Sequence, residues 1–226
     1  MDRKIRIAID GPSGSGKSSL AKKIAREMNL VYVDTGAMYR AVGLCVRRHN
    51  VSPEDAAGVE ALLPGISIAL EAGDGGQIVR LSGEDVTSLI RTEEISMYAS
   101  LVAKLPAVRA FLTAQQKAMA EAGGIVMDGR DIGTVVIPDA EVKIFLKTSP
   151  EERARRRTEE LIARGEDARY EDVLRGIRRR DENDAGRAVA PLRQAEDAAV
   201  IDNSGYEPED TLREALEMIA KKRELF

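Results

Sequence analysis

The sequence predicts an α/β fold in which a parallel five-stranded sheet is flanked by helices. Helical and extended patterns alternate along the 226-residue chain, and five short segments are rich in Val or Ile, as expected for buried parallel strands. We expect these strands at Ile5–Asp10, Leu30–Asp34, Gly124–Asp128, Val142–Lys147 and Ala198–Asp202. Four of them end in an aspartate, and open sheets of this class bind ligands at the carboxyl ends of their strands. Asp10, Asp34 and Asp128 are therefore expected at one edge of the sheet.

The first strand leads into GPSGSGKS at residues 11–18, which matches the phosphate-binding pattern G-x-x-x-x-G-K-[ST]. The glycines let the backbone curl so that N–H groups point at phosphate oxygens, and the following helix N-terminus adds partial positive charge. Lys17 adds a full charge, and the hydroxyl of Ser18 can reach a magnesium ion. A flexible Gly/Ser linker is the alternative. Because a strand precedes the segment and a helix follows it, we predict a P-loop NTPase fold that binds a nucleoside triphosphate.

The helix after this loop is indicated by Leu20, Ile24 and Met28, which recur at i, i+4 and i+8. Contacts to ATP are expected from the loop and the start of this helix: Gly11, Pro12, Ser13, Gly14, Ser15, Gly16, Lys17, Ser18 and Ser19. Helices are expected at Lys17–Met28, Gly36–His49, Pro106–Ala122, Pro150–Arg164, Tyr170–Asn183 and Glu207–Glu224.

Residues 51–100 interrupt the alternation of helix and strand. ISIALEAG and QIVRLSG resemble two strands, and the turn residues GDGG between them predict a β-hairpin. We therefore expect a small antiparallel insertion on the α/β core.

Composition excludes several kinds of site. Cys45 is the only cysteine and His49 the only histidine, which excludes an internal disulfide and a metal site built on several Cys or His residues. No run of about 18 apolar residues occurs, and the N-terminus does not resemble a signal peptide, so we expect a cytoplasmic protein that does not span a membrane. The net charge of −4 argues against nucleic acid as the main partner.

The segment DTGAMYR, residues 34–40, follows the second predicted strand. Thr35 offers a hydroxyl, and Tyr39 and Arg40 lie about one helical turn further on. As an alternative, Asp34 or Thr35 only caps the helix that follows. A cap does not explain an arginine and a tyrosine at this spacing, so we predict a binding segment.

The segment VMDGRDIGT places Asp128 at a strand end, the position of a Walker B carboxylate that holds magnesium or its waters. Arg130 and Asp131 follow directly in the sequence. They place a guanidinium that donates hydrogen bonds beside a carboxylate that accepts them. Charged loop residues are often only solvated. Here they adjoin the predicted triphosphate site, so we favour a functional role.

The predicted helix from Pro150 carries Arg153, Arg156 and Arg157 at i, i+3 and i+4, on one face. Like charges at this spacing repel unless an anion lies between them. The alternative, a solvated face neutralised by neighbouring glutamates, stays open. A later segment, RRRDENDAGRAVAPL, brings Arg180, Asp184 and Arg187 close together at a helix end.

In this order, GPSGSGKS, DTGAMYR, DGRDIGT, RARRR, RRDENDAGR and APL resemble the bacterial cytidylate kinase family over nearly the whole chain. The resemblance implies transfer of the γ-phosphoryl group of ATP to CMP or dCMP, with Mg²⁺. It implies one P-loop kinase domain over residues 1–226, with an insertion at about 51–100 that binds the nucleoside monophosphate and an arginine-rich lid at about 150–168.

The resemblance also implies roles for individual residues. Catalytic positive charge comes from Lys17, Arg153, Arg156 and Arg157, and Mg²⁺ is held through Ser18 with Asp34 or Asp128. The residues implied for CMP are Ser100, Arg109 and Asp131 on the base, Arg180 and Asp184 on the sugar, Arg40, Arg130 and Arg187 on the phosphate, and Thr35 and Tyr39 beside them.

Two other interpretations remain. The first is a P-loop kinase with another small acceptor, such as UMP, AMP or shikimate; the Ser100, Arg109 and Asp131 set argues against it. The second is a nucleic-acid-binding protein regulated by ATP, against which the interspersed glutamates and the acidic total count. We expect a monomer whose partners are ATP and CMP or dCMP.

Overall fold

The computed structural model describes residues 4–73 and 76–223 and contains the parallel five-stranded sheet that the sequence predicts. The strands are β1 (Arg6–Asp10), β2 (Val31–Asp34), β3 (Ile68–Gly73), β4 (Gly76–Leu81), β5 (Glu84–Asp85), β6 (Ile125–Gly129), β7 (Val142–Lys147) and β8 (Ala199–Asp202). The helices are α1 (Lys17–Met28), α2 (Thr35–Arg48), α3 (Ala56–Leu62), α4 (Glu93–Val102), α5 (Pro106–Ala120), α6 (Pro150–Ala163), α7 (Tyr170–Ala185) and α8 (Pro208–Arg223). The chain forms two compact units, one of Met1–Val31 with Gly123–Phe226 and one of Tyr32–Ala122.

The first unit is organised around β1, the central strand in the sheet order β2-β6-β1-β7-β8. All five residues of β1 are buried, as expected for a strand with parallel neighbours on both sides. The register pairs Ile9 with Asp128 on β6 and Asp10 with Phe145 on β7. The carboxyl ends of β1 and β6 are therefore adjacent, which confirms the predicted proximity of Asp10 and Asp128.

The second unit contains a three-stranded antiparallel sheet in the order β3-β4-β5. The predicted hairpin is confirmed, with Ile68 opposite Leu81 and Gly73 opposite Gly76; residues 74 and 75 of the expected turn lie outside the described residues. The third strand and the helices α3 and α4 were not expected. α3 and α4 contribute Val59 and Ile95 to the core that also contains Met38 and Val42 of α2 and Val79 of β4, whereas both residues of β5 are exposed.

Several predicted elements also differ from the structure by one or two residues at their ends. β1 begins at Arg6 instead of Ile5, and α8 begins at Pro208, while the expected end at Glu224 lies outside the described residues. Across residues 4–73 and 76–223, no single helix is long and apolar enough to cross a membrane; α4 and α5 meet the length and composition criteria only as a pair bent by 99°.

Candidate functional site

The loop at residues 11–18 connects β1 to α1 and depends on two glycines. Gly11 has φ +152°, and a Cβ there would lie 2.4 Å from the carbonyl oxygen of Leu146. Gly16 caps α1 in the left-handed region at φ 88°, which costs other residues energy. The tight turn and the close approach to β7 therefore both require glycine.

Lys17 is the buried cation of this loop, with only 4% of its surface exposed. Its Nζ donates to the carbonyl of Pro12 at 2.5 Å and to the hydroxyl of Ser15 at 3.2 Å. Burial lowers the pKa of Lys17 well below its usual range, and the charge of Arg130 lowers it further. An anionic phosphate beside the amine would raise that pKa and favour the charged form.

Ser18 and Asp128 provide two adjacent oxygen ligands at the end of β6. The Ser18 hydroxyl donates to Oδ2 of Asp128 at 2.8 Å. Nowhere in the described part of the chain do three or more His, Cys, Asp or Glu residues form a group that could hold a metal ion. One hydroxyl and one carboxylate nevertheless fit Mg²⁺, which is commonly held by one or two carboxylates, substrate phosphates and water.

Asp10, which the sequence analysis placed at this edge without a role, holds the loop after β6. Its two carboxylate oxygens accept the N–H groups of Ile132 at 2.8 Å and Gly133 at 2.7 Å. These groups begin a π-helix at Ile132–Val136, a rare form that is frequent at functional sites. Burial raises the pKa of Asp10 to about 7, although both N–H donors lower it. Asp131, the residue before the π-helix, is thus held on a fixed backbone.

Arg130, Asp184 and Arg187 form one buried charge cluster in the first unit. Arg130 Nε donates to Asp184 Oδ2 at 2.8 Å, and Arg187 donates to the other carboxylate oxygen. Burial alone would raise the pKa of Asp184, but the charges of Arg130 and Arg187 outweigh it and hold that pKa below its usual range. The structure therefore brings together Arg130 and Arg187, which are predicted to bind the phosphate, and Asp184, which is predicted to bind the sugar. Arg180 lies one turn before Asp184 on α7.

The three arginines of α6 have different surroundings. Arg153 is 2% exposed and makes a two-bond pair with Asp181, at 2.9 and 2.5 Å, beside the carbonyls of Ser13 and Thr148. Arg156 donates to Glu152 and to the carbonyls of Asn203 and Tyr206. Arg157 donates to Glu160, and its side chain is 40% exposed. Neighbouring glutamates thus neutralise two of the three, as in the alternative considered above, while Arg153 holds α7 and the phosphate loop.

Asn203, which the sequence analysis did not assign, supports the phosphate loop from the end of β8. Its amide nitrogen donates to the carbonyl of Ser15 at 3.0 Å, and its amide oxygen accepts the Thr148 hydroxyl at 2.5 Å. The sequence offered one signal for this residue: Asn203 is polar and directly follows a strand that ends in aspartate. It gave no indication that the partner of Asn203 is Ser15, 188 residues away.

The second unit carries the other predicted acceptor residues. Asp34 caps α2, with Oδ1 accepting the N–H of Ala37 at 2.8 Å, and its Oδ2 pairs with Arg40 at 2.9 Å. The cap is therefore confirmed, and the same carboxylate also pairs with Arg40; binding through this segment stays a prediction. Asp34 has no oxygen without a protein partner, unlike a metal ligand that faces open space.

Tyr39 and Arg109 meet inside this unit, with the guanidinium carbon of Arg109 5.7 Å from the ring centre, in the range of a cation–π contact. Thr35 is buried in the first turn of α2. Ser100 lies on α4, and its buried hydroxyl has no hydrogen-bond partner among the described residues; the same is true of Arg40 Nε. Such orphaned polar atoms are costly unless a ligand or water satisfies them.

Comparisons with known proteins find similarity along nearly the whole chain. The family model described as cytidylate kinase matches residues 7–221. A cytidylate kinase of Carboxydothermus hydrogenoformans is 48% identical over 221 residues, which cover 98% of this chain and 100% of that protein. One of Caldicellulosiruptor bescii is 49% identical over 219 residues, covering 97% of each. The solved shikimate kinase of Bacteroides thetaiotaomicron is 15% identical with a TM-score of 0.50, over 96% of this chain and 98% of that one, and shows the fold alone.

Proposed function

The chain belongs to the cytidylate kinase family, and from that premise we propose that it transfers the γ-phosphoryl group of ATP to CMP or dCMP. The products are ADP and CDP or dCDP. The observation that carries the proposal is a complete phosphate loop with a buried lysine, in a chain that is 48% identical to a cytidylate kinase over nearly its full length.

ATP is assigned to the loop at residues 11–18, where backbone N–H groups and Lys17 face the phosphates. Mg²⁺ is assigned to Ser18 and Asp128, whose oxygens lie 2.8 Å apart. These two residues would hold the ion, which would supply positive charge to the phosphate oxygens during the transfer. Asp34 is the weaker candidate ligand, because it would have to release Arg40 or the cap of α2.

CMP is assigned to residues carried by each unit. In the second unit, a buried nitrogen of Arg40 and the buried hydroxyl of Ser100 have no hydrogen-bond partner among the described residues, and they suit the phosphate and the base of CMP, respectively. Arg109 offers further donors to the base. Thr35 and Tyr39 complete the assigned residues of this unit. In the first unit the assigned residues are Arg130, Asp131, Arg180, Asp184 and Arg187. Each carboxylate oxygen of Asp184 accepts from one arginine and keeps a second lone pair that can accept from a ribose hydroxyl.

Recognition of cytosine follows from its pattern of donors and acceptors. The N4 amino group donates, so a carboxylate such as Asp131 can accept from it, while an arginine such as Arg109 donates to N3 or O2. Uracil carries a carbonyl in place of N4, which sets two acceptors against each other. That mismatch is worth about 1–3 kcal/mol.

The transfer itself requires no general base from the protein. The second pKa of a phosphate monoester is about 6, so the attacking oxygen of CMP is mostly deprotonated at neutral pH. What remains is to align two polyanions and neutralise their charge. Lys17, Arg156 and Arg157 would do so, and Arg153 could join only by leaving Asp181. The lid assigned to residues 150–168 would exclude water, which otherwise competes as acceptor.

The test is a measurement of ADP formed from ATP and Mg²⁺ with separate acceptors: CMP, dCMP, UMP, AMP, GMP and shikimate. We expect strong turnover with CMP and dCMP, weaker turnover with UMP and very little with the others. Lys17→Ala is the matched control and should lower turnover by orders of magnitude, because it removes the cation at the transferred group. A different best acceptor would leave a P-loop kinase but remove the cytosine assignment.

A further inference from the structure

The side chain of Gln77 makes two hydrogen bonds to the backbone of β2, within the unit Tyr32–Ala122. Its amide oxygen accepts the N–H of Asp34 at 3.1 Å, and its amide nitrogen donates to the carbonyl of Tyr32 at 2.6 Å. Gln77 is the second residue of β4. These bonds therefore connect the β3–β4 hairpin to the strand that leads into α2.

The two bonds reproduce the way in which one residue of a parallel strand binds its neighbour. Such a residue bonds to the C=O of residue i and the N–H of residue i+2, the relation in which Tyr32 and Asp34 stand. β2 is an edge strand of its sheet, and the N–H of Val31 is already donated to Gly124. Since backbone groups alternate in direction, Tyr32 and Asp34 face the open edge, and the Gln77 amide satisfies them there.

Gln77 thereby fixes the junction between β2 and α2. The Asp34 carboxylate at this junction caps α2 through Ala37 and pairs with Arg40. The side chains of Arg40 and Asp34 are only 20% and 14% exposed, so their conformations depend closely on the position of the backbone at residue 34. A displacement of that backbone would move the guanidinium with it.

We propose that Gln77 is a positioning residue for the acceptor phosphate: by fixing the backbone of Asp34, it sets the direction of the Arg40 guanidinium. The inference rests on the proposed function, because it assigns Arg40 to the phosphate of CMP. It gives the hairpin of the insertion a role in acceptor binding in which Gln77 itself does not touch the nucleotide. The KM for CMP should therefore depend on Gln77, whereas the KM for ATP should not.

The test uses Gln77→Glu, which preserves the size of the side chain. A carboxylate cannot donate to the Tyr32 carbonyl, whereas the protonated acid donates one hydrogen bond and accepts another, which restores both. KM and kcat are measured for CMP and ATP at about pH 5.5 and about pH 8, because a partly buried Glu protonates above its usual range. Dividing each KM and kcat by the wild-type value at the same pH removes the effect that titration of the CMP phosphate has on both proteins.

Two further variants serve as controls. Arg80→Gln lies on the same strand, but Arg80 binds Glu71 within the hairpin, so its constants should match the wild type at both pH values. Gln77→Ala cannot form either bond at any pH. It should raise the KM for CMP equally at both, and it replaces Gln77→Glu as the decisive variant if the latter does not fold.

We expect Gln77→Glu to raise the KM for CMP about tenfold at the higher pH and less than about twofold at the lower pH, with the KM for ATP unchanged. For Gln77→Glu, an equal ratio at both pH values overturns the inference; for Gln77→Ala, an unchanged KM for CMP does so. For either variant, a KM for ATP that rises together with that for CMP also overturns it. A wild-type protein that does not phosphorylate CMP is a different result, since it removes the proposed function and the inference with it.

Discussion

The substitution Asp10→Asn should change how the stability of the protein depends on pH. Asp10 is buried at the end of β1, where its oxygens accept two N–H groups of the loop that follows β6. Asparagine has nearly the same shape, but it does not ionise and offers only one acceptor oxygen. The substitution therefore removes a titrating group from the interior while it keeps most of the packing.

The size of the effect follows from the pKa of Asp10, which burial raises from 3.8 to about 7. The folded protein keeps this proton at pH values where the unfolded chain has released it. Its stabilising contribution is complete below 3.8 and is lost as pH rises through 7. The shift of about three units corresponds to about 4 kcal/mol over the full range, of which about 3 kcal/mol falls between pH 5 and pH 8.5.

The assay is urea unfolding of the ligand-free wild type and Asp10→Asn at several pH values from about 5 to 8.5. The free energy of unfolding of the variant minus that of the wild type should rise by about 3 kcal/mol across this range. Other titrating groups contribute to both proteins and cancel in this difference, except where they couple to Asp10, as Asp131 and Lys17 do.

The raised pKa of Asp10 would be refuted if the free energy of unfolding of the variant minus that of the wild type did not change with pH. That result would mean that Asp10 is already ionised in the folded protein at pH 5, held so by its two N–H donors. A folded-state pKa below 3.8 would also give a flat difference over this range, because it would change the difference only below about pH 5.

Three further predictions concern single residues. Gly11→Ala should lower the free energy of unfolding by about 2–4 kcal/mol, because its Cβ would clash with a carbonyl of β7; Gly176→Ala, where a Cβ meets nothing within 4 Å, should not. Arg153→Lys should lower the free energy of unfolding by about 2 kcal/mol, because lysine cannot form the two-bond pair with Asp181; lost turnover at unchanged stability would instead indicate a phosphate contact. Asp131→Asn should reduce the preference for CMP over UMP about tenfold in kcat/KM, and an unchanged ratio would place base recognition elsewhere.

The regular core of the fold was predictable because its signals are local. α1 and β7 have the bounds that the sequence predicts, Lys17–Met28 and Val142–Lys147, since one follows a specific loop and the other is a compact apolar run. Helix α3 has only seven residues, too few for its periodicity to be visible. The π-helix at Ile132–Val136 depends on Asp10, 122 residues away, and no local pattern contains that contact.

The residue types of the candidate site could be predicted from the sequence, but the contacts that each residue makes could not. The spacing of GPSGSGKS and DGRD indicates phosphate and metal chemistry, and Ser18 does lie beside Asp128. The same reasoning treats Arg153, Arg156 and Arg157 as equivalent, because helical spacing describes a face and not what covers it. Asp181, which covers Arg153, comes from the next helix.

The free energies of these arginine contacts decide which arginines can move to a bound triphosphate. Arg157 is 40% exposed and pairs with Glu160 on the same helix, and an exposed pair of this kind contributes at most about 1 kcal/mol. Charge-assisted contacts to phosphate can readily replace it. Arg153 is buried and held by Asp181, and separating a buried pair typically costs about 3–5 kcal/mol because one charge loses its partner. We therefore predict that Arg157 is the arginine most easily recruited by a bound triphosphate, whereas Arg153 stays with Asp181 and holds the loop at residues 11–18 through the carbonyl of Ser13.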